Sequence, residues 1–354
     1  MTYRVAVIGG GAIAEDHLIA LAGMEQAAAV AVADLVEERA SALAARYGGG
    51  SSGISAYTDY KEMIEREKPD IAIVTLPHFL HREAALFCIE TGVHVLLEKP
   101  MALDVDQCDE IIAAAQQRGV SLMVGHTQHY IAENRTAKRI IDEGSLGTLV
   151  MINDVRNLYY FREQRPAWFL QKALAGGGIM MNLGSHSVDK ITWLAGSAVR
   201  SVKAVTSHYG GKGDIEGSGM AFLHLANGIP ATVSQSGYKG FSRNETEIVF
   251  TEGMLRLETG KALWISRGGE YERVEIDPQE APFVLQLLDL IARIEAGANG
   301  GLSAVDGSAD ASLSSADALP GPPLEHSRHA VAVVLAMYAS HLSGQEEAVE
   351  HGFA

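Results

Sequence analysis

The sequence predicts an α/β protein: a doubly wound parallel sheet in the N-terminal domain, then a C-terminal α+β domain with a large, mostly antiparallel open sheet. Up to about residue 125, continuous apolar runs alternate with amphipathic segments, which indicates parallel strands covered by helices on both faces. Beyond that point the strand-like runs alternate in hydrophobicity with a period of two, as antiparallel strands do. At 354 residues the chain is long for one core, which favours two domains, predicted at 1–124 and 125–354.

The first domain is predicted from apolar strands separated by helices. The strands are predicted at 4–9, 28–34, 70–76, 94–98 and 121–125, and the helices at 15–24, 36–47, 59–67, 80–91 and 104–118. Asp59 followed by Glu62 predicts a capping box at the start of the third helix.

The second domain begins with a predicted helix that ends at Gly144, and its strands follow. Helices are predicted at 132–143, 185–195 and 326–343, and strands at 148–155, 199–209, 218–225, 229–236 and 244–250. Asn227-Gly228 predicts a hairpin turn. Residues 297–323 are rich in Gly, Ala, Ser and Asp and have few large apolar side chains, which predicts a mobile insertion.

Composition excludes several classes of partner. A net charge of −16 with no basic tract argues against nucleic acid. No apolar stretch is long enough to span a bilayer, and we find no secretion signal, so no membrane partner is predicted. Cys88 and Cys108 have no metal-binding or redox spacing, which fits a reduced, cytoplasmic compartment; no metal site is predicted.

Ligands of open parallel sheets bind beyond the carboxyl ends of the strands, so these ends were searched for unusual residues. The first strand is followed by GGGAIA (9–14), which fits the pattern G-x-G-x-x-A. Gly9 and Gly11 permit a tight turn, and Ala12 and Ile13 come just before the predicted helix, at whose start backbone amides can bind a pyrophosphate. This pattern predicts a dinucleotide site.

The second strand ends in Asp34, about 20 residues beyond the turn, where a carboxylate binds the ribose hydroxyls of a dinucleotide. A carboxylate there repels the 2′-phosphate of NADP, so NAD is favoured, although Arg39 is a cation within possible reach. The alternative is that Asp34 is a helix N-cap.

The later strand ends carry Thr75, Pro77, His78 and His81, and then Glu98-Lys99-Pro100. Pro100 keeps Lys99 extended, and the bond between them is a candidate cis peptide. We expect these residues to face the cofactor and Lys99 to lie at the nicotinamide end. The alternative is a solvated Glu98–Lys99 ion pair that contributes at most about 1 kcal/mol.

A second motif occupies residues 176–189. Asn182 and His186 are four residues apart, and Asp189 follows three residues later. A helix that begins near Gly184 places His186 in its first turn, where the ring can face a cleft. The alternative is a structural histidine.

Together these motifs resemble those of the Gfo/Idh/MocA family (glucose-fructose oxidoreductase, inositol dehydrogenase and rhizopine catabolism proteins). The family has a glycine-rich turn, an acidic ribose binder, TP-x-x-x-H, EKP, and GGG…D-x-G-x-H-x-x-D. The matching residues here are Gly9 to Ala14, Asp34, Thr75 to His81, Glu98 to Pro100, and Gly176 to Asp189. The resemblance covers nearly the whole chain except 298–322.

The resemblance implies an N-terminal Rossmann domain and a second domain whose open sheet forms a substrate wall and a homodimer or homotetramer interface. It also implies NAD-dependent oxidation of a secondary alcohol on a sugar, amino sugar or cyclitol, or the reverse, with Lys99 and His186 flanking the carbinol. Asn182 stands where the family frequently has Asp; an amide cannot titrate, so proton transfer falls on Lys99, His186 or both. His78 stands in place of the usual small polar residue.

Several aromatic, histidine and arginine side chains are candidate substrate contacts beside Lys99, Asn182 and His186. They are His126, His129, Tyr130, Arg156, Tyr159, Tyr160 and Trp168. Packing or a subunit contact is the alternative for each of them. Two alternative functions also stay open: an NAD-dependent glycosidase that oxidises its substrate transiently, and a non-catalytic NAD-binding sensor or partner protein.

Overall fold

The computed structural model describes residues 2–49, 53–210, 212–298 and 321–349, and its N-terminal domain is a sheet flanked by helices. The strands are β1 (Tyr3–Ile8), β2 (Ala27–Ala33), β3 (Ser55–Tyr57), β4 (Ile71–Val74), β5 (His94–Leu97) and β6 (Leu122–Val124). The helices are α1 (Ala12–Ala22), α2 (Glu37–Tyr47), α3 (Tyr60–Glu67), α4 (His81–Glu90) and α5 (Val105–Arg118).

All six strands of this sheet pair in parallel, in the order β3-β2-β1-β4-β5-β6. The predicted doubly wound sheet is confirmed, and sequence analysis missed only its three-residue edge strand β3. The strand order reverses between β1 and β4, where Ile8 pairs with Val74. In open α/β sheets the ligand binds in the crevice at this reversal. Asp59 caps α3 as predicted, since its carboxylate accepts a hydrogen bond from the amide of Lys61.

The second sheet begins after helix α6 (Ala132–Glu143) and takes in most of the remaining chain. Its strands are β7 (Leu149–Asn157), β8 (Val199–Ser207), β9 (Ser218–Leu225), β10 (Pro230–Ser236), β11 (Arg243–Phe250), β12 (Gly253–Glu258), β13 (Ala262–Ser266), β14 (Glu272–Arg273) and β15 (Glu347–Ala348). The other helices are α7 (Lys172–Ala175), α8 (Ser185–Ala195), α9 (Pro282–Ala298) and α10 (Leu324–Ser343).

These strands form a nine-stranded sheet in the order β14-β13-β12-β11-β7-β10-β9-β8-β15. Only β7 and β10 pair in parallel, so the predicted mostly antiparallel sheet is confirmed. The predicted hairpin joins β9 to β10, and Gly228 in its turn has a φ of +86°, a left-handed conformation that suits glycine.

One face of the large sheet is buried under helices and the other is open. Ile152, Leu223 and Val233 point into a core that α8 and α10 complete. Val205 and Met220 point the opposite way and are 62% and 66% exposed. This alternation is the period-two pattern that predicted the strands.

Helix α9 was not predicted, and it returns to the first domain. Its residues Leu287, Leu290 and Ile291 pack in the same apolar cluster as Val5 of β1. The domain boundary between residues 124 and 125 stays a prediction. A single boundary does not account for α9, because this helix follows the second sheet in the sequence but packs on the first domain. Most of the predicted insertion, residues 299–320, lies outside the described residues. Across the described ranges, no helix is both long and apolar enough to cross a bilayer.

Candidate active site

The glycine-rich turn lies at the strand reversal, between β1 and α1. Gly9 has a φ of +101°, and a Cβ there would lie 2.8 Å from the carbonyl oxygen of Thr75. Only glycine fits this position. The Thr75 hydroxyl, at the end of β4, donates to the carbonyl of Gly9 at 3.0 Å. This hydrogen bond links the ends of β1 and β4. Gly11 is the N-cap residue of α1, and the first helical residues, Ala12 and Ile13, are solvent-exposed.

Asp34 lies directly beside this turn. One carboxylate oxygen, Oδ2, accepts the amide of Gly10 at 2.8 Å, and Oδ1 accepts the amide of Val36 at 2.8 Å. Helix α2 begins only at Glu37, with Val36 as N-cap, so the N-cap alternative for Asp34 is wrong. Arg39 Nη1 lies 3.4 Å from Asp34 Oδ2, which brings this cation next to the predicted ribose site.

His81 and His78 are held by backbone carbonyls. His81 Nδ1 lies 2.8 Å from the carbonyl oxygen of Pro100, and Nε2 lies 2.8 Å from that of Leu76, so the ring braces two strand-end loops. His78, which follows Pro77, has Nδ1 2.9 Å from the carbonyl oxygen of Ala175. Burial lowers the pKa of both rings. Each histidine therefore has a structural task at the rim of the cleft.

The Lys99-Pro100 peptide bond is cis. Glu98 is buried and faces His17 of α1, with Oε1 3.0 Å from Nε2. Burial tends to raise the pKa of Glu98, but the hydrogen bond and charge of His17, together with Lys99, hold it below its ordinary value. Because this carboxylate is enclosed and bonded to His17, the alternative of a solvated Glu98–Lys99 pair does not hold.

The Lys99 ammonium group contacts Asn182 of the second motif, residues 176–189. Its Nζ lies 2.9 Å from Asn182 Oδ1 and 3.1 Å from the carbonyl oxygen of Asn182. Asn182 belongs to one π-helical turn, Met180–Gly184, that runs into α8. Burial lowers the pKa of Lys99 to about 8; Glu98 opposes this effect, while Arg156 and Arg165 add to it. A large fraction of a lysine with this pKa is neutral at mildly alkaline pH.

His186 lies in the first turn of α8, one turn after Asn182. Its Nδ1 is buried and has no hydrogen-bond partner among the described residues. Burial holds the pKa of this imidazole well below its usual value, and the positive charges of Lys99 and Arg156 lower it further. The ring is therefore neutral at neutral pH, and a neutral imidazole can accept a hydrogen bond or a proton.

The structure brings some of the candidate substrate residues to this group. The Asn182 amide donates to the Tyr160 hydroxyl at 3.4 Å. Arg156 acts electrostatically on Lys99 and His186. Trp168 packs edge-on against His78, with ring centroids 4.8 Å apart.

Other candidates lie elsewhere. The Tyr130 hydroxyl donates to Asp289 of α9 at 2.6 Å, so this ring links α9 to the segment after β6. Tyr159 is exposed beneath the Lys239 ammonium group. His126 and His129 are buried around Asp189 of α8.

Three residues that shape this site were not predicted from the sequence. His17 lies one turn into α1, and its helical spacing from the glycine turn was an available signal. Arg165 places its guanidinium 3.7 Å from the Tyr160 ring centroid. Glu216 accepts the amides of Gly178 and Met180 at 2.8 Å each, which anchors the segment that carries Asn182. No motif in the sequence marks Arg165 or Glu216.

Comparisons with known proteins agree with this arrangement. Residues 3–126 match the profile of an oxidoreductase family with an NAD-binding Rossmann fold, and residues 134–256 match the GFO/IDH/MocA C-terminal domain. One relative is a 1-carboxy-3-chloro-3,4-dihydroxycyclohexa-1,5-diene dehydrogenase from Comamonas testosteroni, 33% identical over 51% of this chain and 45% of that protein. The match thus spans less than half of that relative.

Two further comparisons extend over nearly the whole chain. Inositol 2-dehydrogenase 2 from Saccharopolyspora erythraea is 28% identical over 89% of this chain and 92% of that protein. A crystal structure of aldose-aldose oxidoreductase from Caulobacter crescentus, complexed with glycerol, has a TM-score of 0.84 at 23% identity and covers 98% of this chain and 100% of that one. With both domains matched in order, the chain belongs to the Gfo/Idh/MocA family of oxidoreductases with an NAD-binding Rossmann fold.

Proposed function

We propose that this protein is an NAD-dependent dehydrogenase or reductase that transfers a hydride between nicotinamide and a secondary alcohol of a sugar, amino sugar or cyclitol. The observation that carries the proposal is the contact of Lys99 Nζ with Asn182 Oδ1, which joins the end of β5 to the second domain. This pair lies on the edge of the sheet that also carries the glycine-rich turn.

The turn and its neighbours fit a dinucleotide. A pyrophosphate would bind at the start of α1, next to Gly9 and Gly11, where no side chain caps the first helical amides. The adenosine ribose would meet Asp34, whose carboxylate is already held by two backbone amides. A fixed negative charge there supports NAD over NADP. Arg39 does not reverse this preference, because its guanidinium is already paired with Asp34.

In the proposed reaction, side chains of this protein would accept and return the hydroxyl proton of the substrate. Bound NAD supplies the hydride acceptor. Lys99, with a pKa of about 8, takes the hydroxyl proton of the substrate in the oxidation direction and returns it in the reverse direction. Asn182 holds the amine in place through two contacts. Neutral His186 accepts a hydrogen bond from the substrate on the other side of the carbinol.

The test is a panel of inositols, sugars, amino sugars and nucleotide sugars with NAD+ and NADP+, followed by the absorbance of the reduced cofactor. We expect net NADH formation with at least one substrate class. Lys99→Met should lower kcat by about 10²–10⁴-fold while NAD affinity is kept, because it removes the proton acceptor. Lys61→Met, which removes an exposed lysine paired with Glu83, is the matched control.

Three outcomes would contradict the proposal. Full turnover by Lys99→Met on the best substrate would remove the lysine from the chemistry. Substrate conversion with tightly retained cofactor and no net NADH would favour the NAD-dependent glycosidase, and NAD binding with no turnover of any substrate would favour a sensor.

We also propose that the open face of the large sheet joins copies of this chain into a dimer or tetramer. Val205, Met220 and Phe222 lie together on β8 and β9 with 62%, 66% and 39% exposure, an apolar surface of the kind that marks interfaces. Light scattering should report an oligomer that Met220→Glu dissociates. A monomeric wild-type protein would refute this part.

A further inference from the structure

Three imidazoles surround the buried carboxylate of Asp189. His126 and His129 come from the segment after β6, Asp189 from α8 and His326 from α10, and none of the four is more than 4% exposed. His129 Nε2 and His326 Nε2 each lie 2.8 Å from Asp189 Oδ1, and His126 Nδ1 lies 3.4 Å from Oδ2. We call these four residues the histidine cluster.

The hydrogen bonds within the histidine cluster leave some of its buried polar atoms unpaired. Both ring nitrogens of His126 and the Oδ2 atom of Asp189 are buried without a hydrogen-bond partner among the described residues. A buried polar atom left unpaired costs about 1–3 kcal/mol, so the cluster lacks a group that these atoms would bind. We expect a polar group, an ion or a water, beside the carboxylate.

The donor atoms are those that a transition-metal ion prefers. Imidazole nitrogens with one carboxylate oxygen bind divalent first-row ions, and a set of four suits tetrahedral zinc. One ligand atom from each of His129, Asp189 and His326 lies within 4.8 Å of the other two. Calcium and magnesium are disfavoured, because they take mainly oxygen ligands.

We propose that the histidine cluster binds one divalent transition-metal ion, with His129, Asp189 and His326 as ligands, a water in the fourth position and zinc as the first candidate. Bonds of about 2.0–2.1 Å in a tetrahedron separate neighbouring ligand atoms by roughly 3.3 Å. His129 Nε2 and His326 Nε2 each lie 2.8 Å from Asp189 Oδ1, so these two contacts must open by about 0.5 Å to admit the ion.

The ion would join three parts of the chain. It would link the segment after β6, which ends the first sheet, to α8 and α10 of the second domain. Because Asp189 lies one turn after His186 on α8, the ion would also fix the helix that presents His186. The site does not depend on the proposed reaction, since no ligand donates or accepts the substrate proton.

The test uses the full chain and the ions themselves. Wild-type protein is incubated with Zn²⁺, freed of loose ion by gel filtration and measured by elemental mass spectrometry. We expect near-stoichiometric zinc and a higher melting temperature than in metal-free protein. His326→Gln should lose the zinc, whereas His224→Gln, which changes an exposed histidine on the open sheet, should keep it.

Two results would overturn the site: traces of zinc in the wild type, which would leave ordered water as the occupant, or equal zinc in His326→Gln and wild type. If His326→Gln does not fold, Co²⁺ bound to the wild-type protein decides the matter. Intense visible d–d bands of a tetrahedral site would support the proposal, and a spectrum identical to that of aqueous Co²⁺ would end it.

Discussion

Replacing Asn182 by Asp should move the pH dependence of the enzyme to higher pH. Asn182 Oδ1 is 2.9 Å from Lys99 Nζ, so the substitution places a negative charge next to the proposed base. At an effective dielectric constant of 20 the Coulomb energy at this distance is roughly 6 kcal/mol, or about four pKa units at 1.36 kcal/mol each. The new carboxylate must itself be buried, which leaves an expected rise of about one to three units.

The sign of the effect follows from the proposed mechanism. Oxidation needs neutral Lys99, so below its pKa the rate increases with pH. The pKa of Lys99 is about 8 in the wild type. A higher pKa reduces the neutral fraction of Lys99 at neutral pH, so the rate there falls by the same factor as the acid constant of Lys99. We therefore expect Asn182→Asp to lose about 10–1,000-fold in kcat/KM at neutral pH and to recover at alkaline pH.

The assay is kcat/KM of the best substrate at saturating NAD+, measured from neutral to strongly alkaline pH. Asn182→Ser is the matched control, because it removes the amide without adding charge, and its alkaline limb should stay near that of the wild type. If the alkaline limb of the kcat/KM profile of Asn182→Asp coincides with the wild-type limb, or moves to lower pH, the assignment of Lys99 as the titrating base is refuted.

Two further predictions concern the cofactor and the stability of the second domain. Asp34→Asn keeps an acceptor for the Gly10 amide but removes the charge, so the ratio of NADP+ to NAD+ efficiency should increase by about 10-fold or more; an unchanged ratio in steady-state kinetics would contradict the ribose assignment. Lys190→Met leaves the buried Asp154 carboxylate without its ion-pair partner at 2.8 Å, so unfolding in urea should show a loss of about 3–5 kcal/mol; a loss as small as that of Lys61→Met would show that the pair contributes little.

The elements with strong periodicity were predictable from the sequence. Helices at 132–143 and 185–195 and the strand at 218–225 match the structure at both ends. Strand β3 was missed because three residues are too few to show a period. Helix α9 was missed although it is amphipathic, because it follows the second sheet and packs on the first, a return that no local pattern indicates.

Some residues of the candidate site were likewise predictable from the sequence, and others were not. The shared location of Gly9, Asp34 and Lys99 was predictable because each follows a strand, and the ends of parallel strands share one edge of the sheet. The histidine cluster was not found, because its members are separated by up to 200 residues of chain (126 to 326) and come from three elements. Tyr130 was a candidate substrate contact because it lies just past the last strand of the first sheet, yet its hydroxyl bonds to Asp289 of α9.

A crystal structure with NAD+ and the best substrate of the panel would show whether Lys99 is the proton acceptor. We expect Lys99 Nζ to lie about 2.6–3.2 Å from the reacting hydroxyl oxygen, with the nicotinamide ring on the opposite side of that carbon. A nicotinamide bound away from the end of β5, or a Lys99 amine that contacts neither the substrate nor Asn182, would contradict this expectation.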